Sequence, residues 1–351
     1  MSQKIEELKQ KLEQRRIDAI IITNKVNIKY LLGIEAEGIF IITPYQNVFL
    51  TKERYFEYVK SIIPIEDGVN VVSMEKASAK EISDIFYGLD IVGIEEKSIT
   101  YAEYLNYLDF FDVSFVQTED IVEEMRETKT DDELRYIKYV SDILSTVMEK
   151  NIFKIRKGMT EKEIANNILK DLKLSDLDGV SGDVRVQSGE NTKKTYFMPT
   201  ARRIKSGDIV IITFGGEYNG YRAEIGRTVF VESVEDKVRN EYERLLKIHD
   251  TLLRSIKNRA EISKIVKQIK DELEEINWNV KYDIAHGIGL EEIEAPEFKQ
   301  NTVKELKNRM TLVLEPGIYK SNYGLKIVDT IAVSDFGFTI FTKIASDINI
   351  V

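Results

Sequence analysis

The stretch DIVIITFGGEYNGYRAEIGRTVFV, residues 208–231, decides the fold of this chain. Its two ends, 208–214 and 227–231, are rich in β-branched and aromatic residues, which is typical of buried strands. Between them, glycine-rich phrases follow an apolar run. Strand ends that converge on a cleft have this pattern, although one such phrase alone is more often an ordinary turn.

The sequence around this stretch has a doubled organisation. Two helical patterns precede a strand-rich segment, and two more precede a second one: helices 131–155 and 160–173, strands 182–231, helices 236–257 and 261–276, strands 278–346. The first helix has a start signal at Thr130, with Glu133 three residues later. This order predicts a curved antiparallel sheet with helices on its outer face.

The first third of the chain alternates helical and β patterns, beginning with a helix over 3–15. Two apolar runs, 38–43 and 48–51, flank a turn and predict a hairpin. Such alternation predicts a small α/β domain. The polar stretch 127–131 marks the boundary, so we expect domains over 1–127 and 128–351, an α+β chain overall.

Composition excludes several classes of protein. The 351 residues carry a net charge of −10, which argues against non-specific binding to nucleic acid or to an anionic membrane. Cysteine is absent, so disulfides, thiolate metal sites and a cysteine nucleophile are excluded. The charged first segment has no apolar signal-peptide core, and no run of about 18 apolar residues exists, so we expect a cytoplasmic protein without membrane spans.

Taken together, the phrases resemble the "pita-bread" fold of the Xaa-Pro aminopeptidase, prolidase and methionine aminopeptidase family from about residue 130 onward. The first domain resembles the N-terminal domain of the creatinase and prolidase branch. The phrases that carry the resemblance are Ser188-Gly-x-Asn191, Phe214-Gly, Gly220-Tyr221, Arg227-Thr228, His286-Gly-x-Gly-Leu290, Glu294-x-Pro296 and Glu315-Pro-Gly-x-Tyr319. A dimer is the oligomeric state that the resemblance implies.

Active members of that family bind two divalent metals through two Asp, one His and two Glu. Bridging carboxylates offset the two cations, which activate a shared water. Carried onto this sequence, the five ligand positions are Thr213, Glu224, His286, Glu315 and Val328. Threonine is a poor neutral ligand and valine is none, so the resemblance predicts that a two-metal site is lost. We expect no cofactor, or at most one Mn, Co or Zn ion at Glu224, His286 and Glu315.

Two auxiliary histidines of the family are also replaced, by Tyr196 and Ile293. The creatinase route to catalysis without metal requires the histidine that Tyr196 replaces. The remaining histidine of the chain, His249, lies mid-helix in the predicted pattern, and we interpret it as a surface or partly packed residue. No catalytic residue is therefore assigned.

The losses favour a pseudoenzyme that binds a peptide or protein segment, and the balance is against an enzyme. The alternative is an Xaa-Pro dipeptidase or aminopeptidase working with one metal or an altered site; a third interpretation is a structural homodimer or a subunit of an active paralogue. Without cations, Glu224 and Glu315 repel each other, so we expect protonation or a basic neighbour. The candidates for charge compensation are Arg222, Arg227 and Lys326.

Overall fold

The computed structural model of the chain describes residues 2–63, 68–274 and 284–351. Two compact units are present, Met1–Arg126 and Glu127–Val351. Two predictions reach outside the described residues: the end of the helix over 261–276 and the start of the strand-rich stretch over 278–346.

The first unit is built on a mixed six-stranded sheet with the order β4-β3-β2-β1-β5-β6. Its elements are α1 (Ser2–Gln14), β1 (Ala19–Ile22), α2 (Lys25–Leu32), β2 (Gly38–Ile42), β3 (Asn47–Thr51), α3 (Glu53–Ile62), β4 (Val69–Ser73), α4 (Ala79–Ser83), β5 (Ile91–Ile94), α5 (Tyr101–Phe110), β6 (Ser114–Gln117) and α6 (Ile121–Glu127). All four residues of β1 are buried, as a central strand of aliphatic residues requires.

The first unit contains the predicted hairpin, formed by β2 and β3, and just before it a helix, α2, that was not predicted. Strands β2 and β3 pair antiparallel, with Ile39 opposite Leu50. Helix α2 was not predicted, because its eight residues are too few for a clear 3.6-residue period. Its end signals are nevertheless local. The Asn24 side chain accepts from Val26 N, and Gly33 closes the helix with φ 69°.

The second unit contains three groups of paired strands: β11-β10-β12-β15-β16, β13-β14 and β17-β9-β8-β7. Its elements are α7 (Asp131–Ile152), α8 (Glu161–Lys173), β7 (Gly179–Ser188), β8 (Ile209–Tyr218), β9 (Tyr221–Phe230), α9 (Asp236–Ser255), α10 (Ile262–Glu274), β10 (Ala285–Gly287), β11 (Glu294–Glu297), β12 (Thr311–Leu314), β13 (Gly317–Tyr319), β14 (Gly324–Lys326), β15 (Asp329–Ser334), β16 (Gly337–Ile340) and β17 (Asn349–Ile350). The pairings are antiparallel except β17 with β9, which is parallel.

Local signals and burial explain the second unit's framework. The predicted start of α7 is confirmed: Thr130 N donates to the Glu133 carboxylate at 2.8 Å, and the Thr130 hydroxyl accepts from Glu133 N. The apolar faces of α9 and α10 share one buried core with β12 and β15.

No helix in the described ranges is long and apolar enough to span a membrane.

The opening stretch of the sequence folds as the hairpin of β8 and β9. Its turn is Asn219-Gly220, with φ of 50° and 82°, as a two-residue turn of this kind needs. The register sets Thr213 opposite Gly226 and Gly215 opposite Glu224. Because side chains alternate along a strand, this register fixes which of them face the candidate site.

Candidate functional site

The candidate site lies where the β8–β9 hairpin meets the segment between β14 and β15. Gly226 and Val328 exchange backbone hydrogen bonds there, Gly226 N to Val328 O at 3.0 Å and Val328 N to Gly226 O at 2.9 Å. His286 is on β10, Glu315 directly follows β12, and Lys326 ends β14. Strands distant in sequence therefore bring these side chains to one place.

Thr213 and Val328, which the resemblance predicts at two lost ligand positions, lie on either side of Gly226. A Cβ atom placed on Gly226 would stand 2.6 Å from Val328 Cγ2 and 2.9 Å from Thr213 Oγ1. Val328 is fully buried and packs with Ile288 and Val313. This half of the site therefore offers one hydroxyl and a hydrocarbon surface, and the positions that would need carboxylates for a second metal supply none.

Glu315 is paired with a lysine. Lys326 Nζ donates to Glu315 Oε2 at 2.6 Å, and the two side chains are 7% and 15% exposed. Burial alone would lower the pKa of Lys326, but the charges of Glu315, Tyr319 and Glu224 outweigh burial and raise it. These charges therefore favour the protonated ammonium beside the carboxylate.

His286 faces the other oxygen of Glu315. Its Nε2 is 3.8 Å from Glu315 Oε1, while its Nδ1 is 2.9 Å from the carbonyl oxygen of Gly287. A carbonyl oxygen only accepts hydrogen bonds, so Nδ1 carries the proton and Nε2 is directed toward Glu315. The backbone thus fixes both the tautomer and the orientation of the imidazole.

Glu224 is paired with an arginine that the sequence analysis did not single out. Arg185 Nη2, on β7, donates to Glu224 Oε1 at 2.9 Å, and the Glu224 side chain is 8% exposed. Burial raises the pKa of Glu224, the like charge of Glu315 raises it further, and Lys326, Arg185 and His286 oppose this. We call Arg185, Glu224, His286, Glu315 and Lys326 the central ionic cluster.

Two residues proposed for charge compensation are engaged elsewhere. Arg222 Nε donates to Glu217 Oε2 at 2.9 Å, along the same hairpin. Arg227 is 1% exposed, and its Nη2 donates to Asp329 Oδ1 at 2.7 Å. Both expectations are corrected. Arg227 is three residues from Glu224 on β9, so its side chain is on the opposite face of the strand. Arg222 shares the face of Glu224 but lies next to the turn, where its cross-strand neighbour Glu217 binds it.

His249 is also corrected. It is buried rather than at the surface, with Nε2 3.1 Å from Asp329 Oδ2. Burial raises the pKa of Asp329, but Arg227 and then His249 outweigh burial and hold it below the ordinary value of 3.8. Arg227, Asp329 and His249 form a buried ionic group behind the site that is separate from the central ionic cluster.

Tyr196 and Ile293, predicted to replace the auxiliary histidines, are largely exposed, at 59% and 67%. The Tyr196 hydroxyl donates to Asp183 Oδ2, and this hydrogen bond, followed by the charge of Asp183, raises the pKa of the phenol. Its ring lies 5.6 Å from the Arg185 guanidinium carbon. Neither side chain can take up and release a proton near neutral pH as a histidine does, because the phenol stays protonated and isoleucine does not titrate.

The residues present do not fit a pair of metal ions. Across 2–63, 68–274 and 284–351, no three His, Asp or Glu side chains group closely enough to hold a metal. The cations beside Glu224 and Glu315 are instead a guanidinium and an ammonium. The guanidinium and the ammonium of the central ionic cluster can donate hydrogen bonds, and their charges offset those of the two carboxylates. One signal could have identified Arg185 from sequence: it is a charged residue between two valines in a predicted strand.

Two family models match the chain. One, described as metallopeptidase family M24, covers residues 135–335, and the other, the creatinase/prolidase N-terminal domain, covers residues 4–128. These matches confirm the predicted resemblance. They also confirm the fold class, a pita-bread domain preceded by a creatinase-type α/β domain.

Relatives match over nearly the whole chain. An Xaa-Pro dipeptidase of Pyrococcus furiosus is 27% identical over 350 residues, 98% of each chain. An uncharacterized peptidase of Bacillus subtilis is 25% identical, covering 95% of this chain and 96% of its own. The solved structure of an Xaa-Pro dipeptidase from Bacillus anthracis has a TM-score of 0.93 at 27% identity and covers 99% of each chain.

The expectation of no cofactor is corrected by these matches. It followed from the ligand positions alone, whereas the matched family is described as metallopeptidases. A divalent metal is therefore the cofactor that the match implies, even though Thr213 and Val328 do not fit a metal pair.

Proposed function

The chain belongs to metallopeptidase family M24, and from this premise we propose that it binds short Xaa-Pro peptides at the central ionic cluster. The dipeptidase names of its relatives support this class of ligand. We propose further that two-metal hydrolysis has been lost. The observation that carries this second step is the Lys326–Glu315 ion pair at 2.6 Å.

The ion pair supports loss of hydrolysis through simple electrostatics. In two-metal hydrolases, carboxylates offset the charges of adjacent cations. Here Lys326 and Arg185 already offset Glu315 and Glu224. Thr213 and Val328 add no further negative charge, so within the central ionic cluster no carboxylate is left without a cation to hold two more positive ions.

A second candidate function is hydrolysis of Xaa-Pro dipeptides at an altered site. The names of the relatives support this candidate better than the first. Glu224, His286 and Glu315 also support it, because an imidazole and two carboxylates remain at one site. The two candidates share a substrate class and differ in whether a peptide bond is broken.

Both candidates are tested by one pair of measurements on the purified full-length chain. Calorimetry with Ala-Pro and with Ala-Gly as the control peptide measures binding, and chromatography after incubation with Mn, Co or Zn measures hydrolysis. We expect saturable binding of Ala-Pro, weaker binding of Ala-Gly, and no turnover. Turnover that His286→Ala abolishes would establish the second candidate and contradict the loss of hydrolysis.

We also propose a cytoplasmic homodimer, as the resemblance to prolidases implies. Light scattering of the purified chain is expected to give about twice the 40.5 kDa mass of one chain. A mass equal to that of one chain across a concentration series would contradict the dimer.

A further inference from the structure

We propose that Arg185 is a positioning residue that donates a hydrogen bond to the carbonyl oxygen of the bound Xaa-Pro bond. This inference rests on the proposed peptide binding and adds the group that orients the peptide. Arg185 lies on β7, at the edge of the central ionic cluster, and its side chain is 17% exposed. It is thus largely enclosed but still reaches the surface of the site.

Arg185 has donor capacity that the described part of the chain does not use. A guanidinium carries several N–H donors in a rigid fork. Among the described residues only Nη2 is engaged, with Glu224 at 2.9 Å, and the buried Nε has no hydrogen-bond partner. Buried donors without partners are rare because they cost free energy. The buried Nε is closed to a ligand, but Nη1 also has no partner among the described residues and is not one of the fully buried atoms, so Nη1 is the donor that can serve an acceptor from outside the chain.

The guanidinium is held in place before any ligand arrives. Glu224 binds one end of it, and the Tyr196 ring lies 5.6 Å from its central carbon. Asp183 in turn fixes the Tyr196 hydroxyl. A donor that is already oriented loses little side-chain entropy on binding, so its hydrogen bond contributes more to affinity.

The surrounding charge favours a neutral acceptor over an anion. Glu224 binds the guanidinium, and Asp183 binds the hydroxyl of Tyr196, whose ring lies beside it. Glu292 comes so close to Gly182 that a Cβ there would stand 2.7 Å from its Oε1. Arg185 and Lys326 supply the opposing positive charge. A carboxylate placed at this guanidinium, including the C-terminal carboxylate of the peptide itself, would be repelled by the surrounding carboxylates. A peptide carbonyl accepts a hydrogen bond without adding charge.

The test compares Ala-Pro with its thioxo analogue, in which sulfur replaces the carbonyl oxygen of the Ala–Pro bond. Sulfur is the weaker acceptor, while the shape and charge of the peptide are kept. Calorimetry on the full chain is expected to show about tenfold weaker binding of the thioxo peptide by the wild type. In Arg185→Met the two peptides should bind equally, and Arg185→Lys should retain an intermediate preference.

The ratio of the affinities for Ala-Pro and its thioxo analogue distinguishes a positioning role of Arg185 from a purely structural one. Loss of a structural arginine would weaken both peptides alike and leave the ratio unchanged. Arg254→Gln is the matched control, because Arg254 also pairs with a carboxylate, Asp250, but on the exposed face of α9. It should keep the wild-type ratio.

Two outcomes would overturn the inference in distinguishable ways. If wild type and Arg185→Met show the same preference, another group binds the carbonyl and only the role of Arg185 fails. If the wild type binds neither peptide, the proposed peptide binding fails and the role of Arg185 fails with it. Should Arg185→Met not fold, the wild-type ratio and Arg185→Lys still decide, since equal ratios in these two contradict the proposal.

Discussion

Replacing Arg227 with methionine is expected to lower the free energy of unfolding by about 3–5 kcal/mol. Arg227 is 1% exposed and donates to Asp329 Oδ1 at 2.7 Å and to the carbonyl oxygen of Val328 at 2.8 Å. Methionine is of similar length, so the cavity is small. It leaves the Asp329 carboxylate buried without its main cation, which is the costly part of breaking such a pair. Urea denaturation at pH 7 measures the loss.

Two further variants separate charge from packing. Arg227→Met combined with Asp329→Asn should recover part of the loss, because no unpaired charge remains. Arg254→Met, which breaks an exposed pair, should change stability by less than about 1 kcal/mol. A loss below that size for Arg227→Met would contradict a stabilising role for the buried pair.

The same pair predicts a pH dependence. The pKa of Asp329 in the folded chain lies below 3.8, since Arg227 and His249 outweigh burial. Its stabilising contribution is therefore present above pH 3.8 and is lost as the pH falls through the lowered pKa. The difference in free energy of unfolding between wild type and Arg227→Met should therefore become smaller as the pH is lowered below 3.8.

Replacing Lys326 with methionine is expected to lower the free energy of unfolding by about 3 kcal/mol. Lys326 Nζ is 2.6 Å from Glu315 Oε2, and both side chains are largely buried. Without the ammonium, Glu315 and Glu224 are two like charges with Arg185 as the nearest described cation of the cluster. Thermal unfolding in the presence of a chelator measures the effect, so that no added metal ion replaces the missing charge.

Neutralising Glu315 tests whether its unpaired charge causes the loss of stability in Lys326→Met. Lys326→Met with Glu315→Gln should be more stable than Lys326→Met alone, because the unpaired carboxylate is gone. Lys343→Met is the control, since Lys343 is 63% exposed and 3.7 Å from Asp142. Equal stability of the single and double variants would show that charge compensation is not what Lys326 supplies.

The Arg227–Asp329 pair and the central ionic cluster have different roles within the second unit. Arg227 and Asp329 tie β9 to β15 behind the site, through contacts that no ligand needs to reach. Arg185 and Lys326 neutralise the carboxylates of the central ionic cluster, where we propose that peptides bind. Variants of the first group should therefore reduce stability, and variants of the second should change both stability and peptide affinity.

Local sequence determined much of the architecture. Thr130 and Glu133 three residues apart specify the start of α7, and Asn219-Gly220 specifies the turn between β8 and β9. Such signals act over a few residues, so they can be interpreted without knowing the tertiary structure. The glycine phrases around His286 and Glu315 indicated the family in the same way, and the same register placed Thr213 and Val328 at predicted ligand positions.

Tertiary structure alone decided which charges meet. Arg185 is 39 residues from Glu224, and Arg227 is 102 residues from Asp329. Each pair forms because strand register and helix packing bring two distant segments together, and a shift of one residue would turn the side chain to the opposite face of its sheet. Arg227, three residues from Glu224, is for that reason on the opposite face of β9 and pairs with Asp329. Arg222 shares the face of Glu224 but pairs with its cross-strand neighbour Glu217, and the distant Arg185 pairs with Glu224. The sequence could predict which basic residues were available to compensate the carboxylates, but only the geometry of the sheets decided which of them do so.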